Sequence, residues 1–264
     1  MVRVGIAGVL GKMGRTILNC ALSTEDILVV NVTEHPENPK TGHTLREVLG
    51  IDSDIRINRS FYDGEKPDVI IDFTTCKSTL ENLNYASNTK TPIVIGTTGF
   101  NEEEKAKIIE ASKEIPIVFS PNMSLGVNLL FKLVETVAKI LGDEYDIEII
   151  EIHHRFKKDS PSGTAIRLAE IIAQALGRNT KECVRTGREG LVGERSREEI
   201  GVLAVRAGDV VGEHTVIFGG LGERIELAHK AHSRETFARG AIRAAKWLVG
   251  KGPGLYSMFD VLGL

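Results

Sequence analysis

Residues 153–164 read HHRFKKDSPSGT, and the groups needed to bind an anion and hand it a proton stand together there. A histidine titrates near neutral pH and can protonate a carbanion or enamine carbon. Lys157 adds a fixed cation three residues after His154. Pro161-Ser162-Gly163-Thr164 leads into an apolar-striped run over 165–176, so it reads as a helix start whose first N–H groups are free to donate. Helix dipole, hydroxyls, lysine and at least one histidine together suit the carboxylates of a small substrate.

The preceding run, DIEIIEIHHRF (146–156), reads as a strand. Alternation places Ile147, Ile149, Glu151 and His153 on one face, and Glu148, Ile150, Ile152 and His154 on the other. The histidines therefore point apart, and one stands nearer the reacting atom. Two plainer readings exist for the segment. One is a solvated, charged strand end without chemistry. The other is a metal site with His229 and His232, which neither a cysteine pair nor an HExxH pattern supports, so no metal is expected.

A second motif, Gly8-Val9-Leu10-Gly11-Lys12-Met13-Gly14, follows an apolar run and opens a helical one. Glycines there let backbone N–H groups approach a pyrophosphate at a helix N-terminus. The GxxGxxG spacing also fits an ordinary β–α turn. Glu34, which lies 20 residues beyond Gly14, ends the next strand, where a dinucleotide fold sets an acid on the adenosine ribose. That carboxylate favours NADH over NADPH, although His35 and Lys40 add nearby positive charge and keep NADPH as an alternative. Thr74, Gly96-Thr97-Thr98 and Ser120-Pro121-Asn122-Met123 end further strands, at the edge where open α/β sheets bind ligands. Cap or turn roles are the competing reading for each.

The elements that must carry these motifs alternate in the first half. Strand-like runs at 2–8, 28–34, 68–74, 92–98 and 116–122 are separated by helical runs at 13–22, 77–87 and 102–114. Asn101 with Glu104 predicts a capping box for the last of these. This order predicts an α/β fold, a Rossmann-like doubly wound parallel sheet. After a long amphipathic run at 124–141, strands at 146–154, 200–206, 209–218 and 223–231 predict a second α+β domain with an open mixed sheet. The charged, glycine-containing stretch 186–199 reads as a mobile surface loop, and 235–250 as a final helix. The expected domains are 1–123 for the dinucleotide, with 235–264 returning to it, and 124–234 for substrate and oligomerisation. Hinges are expected near 124 and 234, so that closure brings the two parts together.

Composition limits the partners. Net charge is −3, which gives no field for nucleic acid or anionic membranes, and neither partner is expected. Three widely spaced cysteines fit a reducing compartment. No run approaches the ~20 apolar residues needed to span a bilayer, and a cytoplasmic protein is expected.

HHRFKKDSPSGTA (153–165) resembles the central signature of the 4-hydroxy-tetrahydrodipicolinate reductase family, also called dihydrodipicolinate reductase. GVLGKMG (8–14), IDFT (71–74), GTTGF (96–100), SPNMSLGVNLL (120–130), GEHTVIF (212–218) and GLYSMFDVLGL (254–264) fall in the family's order. The resemblance implies NADH- or NADPH-dependent reduction of a cyclic imine dicarboxylate to tetrahydrodipicolinate, on the route to diaminopimelate and lysine. It implies His153 as proton donor and Lys157 as a catalytic lysine that also positions substrate. His154, Gly163 and Thr164 would hold the substrate carboxylates, with Arg234 as a further charge. Gly8, Val9, Leu10, Gly11, Lys12, Met13, Glu34, Gly96, Thr97, Thr98, Ser120, Pro121, Asn122 and Met123 map onto dinucleotide contacts. A homotetramer is implied as well, through the sheet of the second domain. Some relatives carry arginine where His35 stands, which makes NADPH use the weakest inference from the likeness. Two rivals remain at this level: a dehydrogenase of an amino-acid semialdehyde, and a non-catalytic dinucleotide sensor.

Overall fold

The computed structural model describes Met1–Leu264. The chain forms two compact units, one of Met1–Leu125 with Arg234–Leu264, the other of Gly126–Ser233. No helix is long and apolar enough to cross a membrane.

The first unit is built on strands β1 (Val2–Ala7), β2 (Ile27–Thr33), β3 (Ile57–Asn58), β4 (Val69–Asp72), β5 (Ile93–Ile95) and β6 (Pro116–Phe119), joined by the last strand in chain order, β12 (Gly254–Tyr256). They form one sheet in the order β12-β6-β5-β4-β1-β2-β3. Every pairing is parallel. The chain runs outward from β1 to β3 and then crosses back to β4, which creates a switch point between β1 and β4. Helices α1 (Lys12–Leu22), α2 (Leu45–Leu49), α3 (Cys76–Thr89) and α4 (Glu102–Ser112) follow strands, as parallel crossovers require. The predicted capping box opens α4: Asn101 Oδ1 accepts from Glu104 N at 2.8 Å and Glu104 returns to Asn101 N at 2.9 Å.

Val4, Ile6, Val69, Ile70, Ile71, Ile93, Val94, Ile95, Ile117 and Val118 are wholly buried, which is why these strands read as continuous apolar runs. Burying such a side chain stabilises by about 1.5–3 kcal/mol. Helix α8 (Glu235–Leu248) packs on α1 and the sheet, with Ala238, Ala241, Ala244 and Ala245 buried in the shared core, and α9 (Met258–Leu262) packs beside it. The strands predicted at 68–74, 92–98 and 116–122 stop short of those limits. Their last residues leave the ladder to make the turns of the ligand edge. β3, β12, α2 and α9 escape prediction because each is too short to show a period.

The second unit holds the rest of α5 (Leu125–Leu141), α6 (Gly163–Ala175), α7 (Thr180–Cys183) and a five-stranded sheet. Its strands are β7 (Asp146–His153), β8 (Val184–Arg185), β9 (Ile200–Arg206), β10 (Gly212–Gly219) and β11 (Arg224–Ala231), in the order β11-β10-β7-β9-β8. β10 is antiparallel to both neighbours, while β7 and β8 run parallel to β9, so the sheet is mixed as expected. Helix α6 packs on β7 and β9, and Ile147 and Ile149 are buried on that side. The opposite face carries Ile150, Ile152, Leu203, Val205 and Ile217, all partly or largely exposed. The 186–199 stretch has no helix or strand and lies on the surface, and two of its arginines reach β7. Arg188 bonds Glu148 and Glu199, and Arg195 bonds Glu148 at 2.9 Å, Asp146 at 2.8 Å and the Ile147 carbonyl at 2.9 Å.

Candidate active site

In the first unit the glycine loop turns between β1 and α1. Gly8 has φ +64°, and a Cβ on Gly14 would stand 2.0 Å from the Gly8 carbonyl oxygen. Only glycine fits either position, so the loop stays thin and its backbone is open to a ligand. Glu34 closes on the same loop from the end of β2, where it accepts from Leu10 N at 2.9 Å and from His35 N at 2.9 Å. A cleft of about 450 Å³ opens beside them, lined by Gly8, Gly11, Glu34, Arg59, Thr74 and Lys77 among others. Its glycine wall, helix N-terminus and acid fit the pyrophosphate and ribose of a dinucleotide.

The next strand ends are tied by Asp72, which is wholly buried. Its carboxylate accepts from Thr74 Oγ1 at 2.7 Å, Asn82 Nδ2 at 2.8 Å, Thr74 N at 3.0 Å and Thr79 Oγ1 at 3.1 Å. Thr97 joins the network through Thr79 Oγ1 at 2.9 Å, and Gly96 N donates to the Asp72 carbonyl at 2.8 Å. A buried carboxylate with this many donors is satisfied and holds the turns after β4 and β5 in one shape. Ser120 N bonds the Ile95 carbonyl, and Ser124 N bonds Asn122 Oδ1 at 2.9 Å, which shapes the Ser120–Met123 turn. Met123 is buried and Thr98 exposed. Gly96–Thr98 and Ser120–Met123 share the sheet's ligand edge but are not among the walls of the 450 Å³ cleft. Val9 is buried and donates to the Thr33 carbonyl, and Lys12 and Met13 begin α1.

In the second unit the titratable groups gather at the end of β7. Glu151 and His153 lie on the same face, as alternation requires, and Glu151 Oε2 stands 2.5 Å from His153 Nδ1. Arg206 of β9 reaches the same carboxylate with both Nη atoms, each at 2.9 Å, and bonds the Asp159 carbonyl at 2.7 Å. Ser162 N, at the start of α6, donates to Glu151 Oε1 at 3.0 Å. Ser162 Oγ caps α6 by accepting from Ala165 N and meets His214 Nε2 at 2.9 Å. The His214 and His153 rings meet edge-on, with centroids 5.2 Å apart. Lys157 Nζ is held by both Asp159 oxygens, at 2.9 and 2.8 Å. Gly163 and Thr164 form the first turn of α6. His154 is the first residue past β7 and has a buried Nδ1 with no hydrogen-bond partner.

Burial shapes the charges here. It pushes the Glu151 carboxyl up, but the bonds from Arg206 and His153 outweigh it and hold the group below its usual range. For His153, burial pulls the imidazole down against the raising influence of Glu151. His214 is pulled down to about 3, by burial first and then by His153. The resting cluster thus holds an ionised carboxylate, a guanidinium, a lysine and two neutral imidazoles. It can bind a small anion and, once His153 takes up a proton, release that proton to it.

His153 ends β7, His154 and Lys157 lie in the turn after it, and Gly163 and Thr164 open α6 beside Ser162, so the residues of the 153–164 motif stand at one end of the sheet. Sequence reasoning missed Arg206 and His214, whose partners lie 55 and 52 residues away in the chain. It also missed Arg59, in the cleft beside Glu34. The Glu151 role was visible in principle, because a carboxylate two residues before a histidine on one strand shares its face.

Two family models match the chain. The model described as dihydrodipicolinate reductase, N-terminus, covers residues 2–123, and the one described as its C-terminus covers 126–262. The curated 4-hydroxy-tetrahydrodipicolinate reductase of Syntrophus aciditrophicus is 49% identical over 270 residues, spanning 100% of this chain and 99% of that protein. That of Trichlorobacter lovleyi is 48% identical over 269 residues, spanning 100% of each. A dipicolinate-bound dihydrodipicolinate reductase from Paenisporosarcina sp. TG-14 superposes with a TM-score of 0.76 at 25% identity, covering 98% of each chain. An amine dehydrogenase from Mycobacterium smegmatis shares the fold at 12% identity, with a TM-score of 0.60 over 97% of this chain and 95% of that one.

Proposed function

This chain belongs to the dihydrodipicolinate reductase family, and on that premise we propose which of its residues carry the reaction. The protein is an oxidoreductase of the lysine and diaminopimelate route. It reduces 4-hydroxy-tetrahydrodipicolinate, or its dehydrated form, to tetrahydrodipicolinate with NAD(P)H. The observation that carries the assignment of roles is the convergence of His153, Lys157 and the α6 N-terminus at one end of β7.

His153 is the proton donor. With Nδ1 committed to Glu151, a proton taken from solvent resides on Nε2, the nitrogen left to face a substrate. Lys157 and the Gly163–Thr164 turn hold carboxylate, by charge and by first-turn N–H groups. His154 stands at the flank and binds rather than protonates. A dianionic substrate arriving beside His153 favours the charged imidazole and so loads the proton when it is needed. Arg234, at the N-cap of α8 in the first unit, adds a further charge for the substrate.

Gly8 to Met13, Glu34, Gly96 to Thr98 and Ser120 to Met123 hold the dinucleotide. Bound there, it supplies the hydride. The Glu34 carboxylate favours NADH, and Arg59 and Lys77 in the same cleft give a 2′-phosphate two cations to meet, so NADPH is also used. Residues 1–123 with 235–264 serve the dinucleotide and 124–234 the substrate, with hinges near 124 and 234. The exposed apolar band on β7, β9 and β10 supports a homotetramer joined through that sheet. A soluble cytoplasmic enzyme fits this role.

The semialdehyde alternative calls for a thiol at the reacting centre, and the β7 cluster holds none: Cys20 and Cys183 are buried and burial pushes both up, while Cys76, half-buried at the start of α3, donates to the Thr98 carbonyl at 3.6 Å. The deciding experiment is a coupled assay with dihydrodipicolinate synthase that follows loss of reduced-nicotinamide absorbance. Oxidation of NADH in step with synthase product is expected. No oxidation of either cofactor would overturn the proposal.

A further inference from the structure

The proton donor of the proposed reaction is one nitrogen of one ring, and the other nitrogen has a partner that no sequence motif announced. Glu151 sits at 2.5 Å from His153 Nδ1, is wholly buried, and is itself fixed from two more directions. Arg206 grips it with both Nη atoms at 2.9 Å, and the backbone N–H of Ser162 donates to it at 3.0 Å. Three groups from three elements, β7, β9 and the start of α6, thus meet on one carboxylate. On the far side of the ring, β10 presents Gly212, and a Cβ there would stand 3.0 Å from His153 Nε2. The imidazole is held at one nitrogen and given room at the other.

We propose that Glu151 is a positioning residue for the reduction: it fixes His153 as the Nδ1–H tautomer, so that any proton taken up lies on Nε2, and Arg206 sets how strongly it does so. An ionised carboxylate can only accept, so the nitrogen facing it must carry hydrogen. That leaves Nε2 as the sole nitrogen able to gain and lose a proton during turnover. The same arrangement orients metal-ligating and catalytic histidines in unrelated folds. Arg206 works in the opposite sense. By neutralising part of the Glu151 charge, it weakens the pull of that carboxylate on the imidazolium and keeps the donor acidic. The other groups facing His153 are Lys157, from the turn after β7, and the ring of His214 from β10, with His229 of β11 cross-strand from it. One carboxylate therefore joins the acid to the anion cradle, because the Ser162 that it holds is also the cap of α6.

The inference rests on His153 being the proton donor, and the variants Glu151→Gln and Arg206→Met test it. Glu151→Gln should lower kcat by about 10²-fold with KM for substrate changed by less than about threefold. Its alkaline limb should move to lower pH by about one unit, because the imidazolium loses its anion. Arg206→Met should move that limb the other way. A merely structural role would lower activity in both without opposite shifts, so limbs that stay put or move together would overturn the proposal. A second measurement needs neither activity nor the variants. Histidine ¹⁵N NMR of the intact wild-type protein near neutral pH should show His153 protonated on Nδ1 and bare on Nε2. The reverse tautomer would overturn it. Because that readout does not depend on turnover, loss of the reductase assignment and loss of this inference are told apart.

Discussion

Lys157 donates to both carboxylate oxygens of Asp159, at 2.9 and 2.8 Å, so the lysine proposed to meet substrate already holds an anion. Asp159 is largely exposed, and such pairs are worth about 0–1 kcal/mol. A dicarboxylate that displaces Asp159 loses that amount. Asp159→Asn should therefore lower KM for substrate by up to about fivefold at low salt, an advantage that fades as salt rises. A KM that rises instead would show that Asp159 aims the lysine rather than competing for it.

His153→Gln keeps the size of the side chain and removes the transferable proton. Turnover should fall by about 10²–10⁴-fold, while NADH binding, read by fluorescence titration, stays near wild type. Lys157→Ala should raise KM as well as lower kcat, because it removes both a charge and a contact. Wild-type turnover in both variants would remove this end of β7 from the mechanism.

Cofactor choice is set in the other unit. Glu34 lines one cleft with Arg59 and Lys77; the carboxylate repels a 2′-phosphate, and the two cations attract it. Arg59→Ala should cut kcat/KM for NADPH by about five- to tenfold and leave that for NADH within about twofold. The wild-type enzyme should favour NADH. A strong NADPH preference would mean that Glu34, held by Leu10 N and His35 N, does not face the ribose.

His214 gives a stability prediction. Burial holds it neutral down to about 3 in the folded protein, while the unfolded chain protonates near 6.5. Between these values the unfolded state binds more protons, so stability falls as pH falls, by up to about 1.4 kcal/mol per unit. His214→Gln keeps a bond to Ser162 and should flatten that part of the profile in denaturant titrations from pH 7 to 4. Parallel profiles for the two proteins would show that His214 charges without cost.

Local periodicity made much of this molecule legible. Buried parallel strands declare themselves as β-branched runs, Asn101 and Glu104 announce the start of α4, and alternation along β7 puts Glu151 and His153 on one face. Long-range register does not declare itself. Arg206 reaches Glu151 only because β9 pairs parallel to β7 with His153 opposite Arg206. Nothing local to either strand encodes that alignment. Arg59 follows a strand of two residues, too short for any period to show. Asp72 lies inside the strand-like run 68–74 with nothing local to mark it, and only the folded chain brings Thr79, Asn82 and Thr97 around it.

The two units differ in how the ribosome delivers them. Gly126–Ser233 is one continuous piece of chain, so its sheet can close as soon as it has been made. The dinucleotide unit must wait. Its helix α8, packed on the helix of the glycine loop, and its edge strand β12 are translated only after the whole of the other unit. Until then the α1 surface that α8 covers is open to water and to chaperones. Nascent chains stalled before residue 234 should protect the His153 segment from protease while leaving the glycine loop open to cleavage.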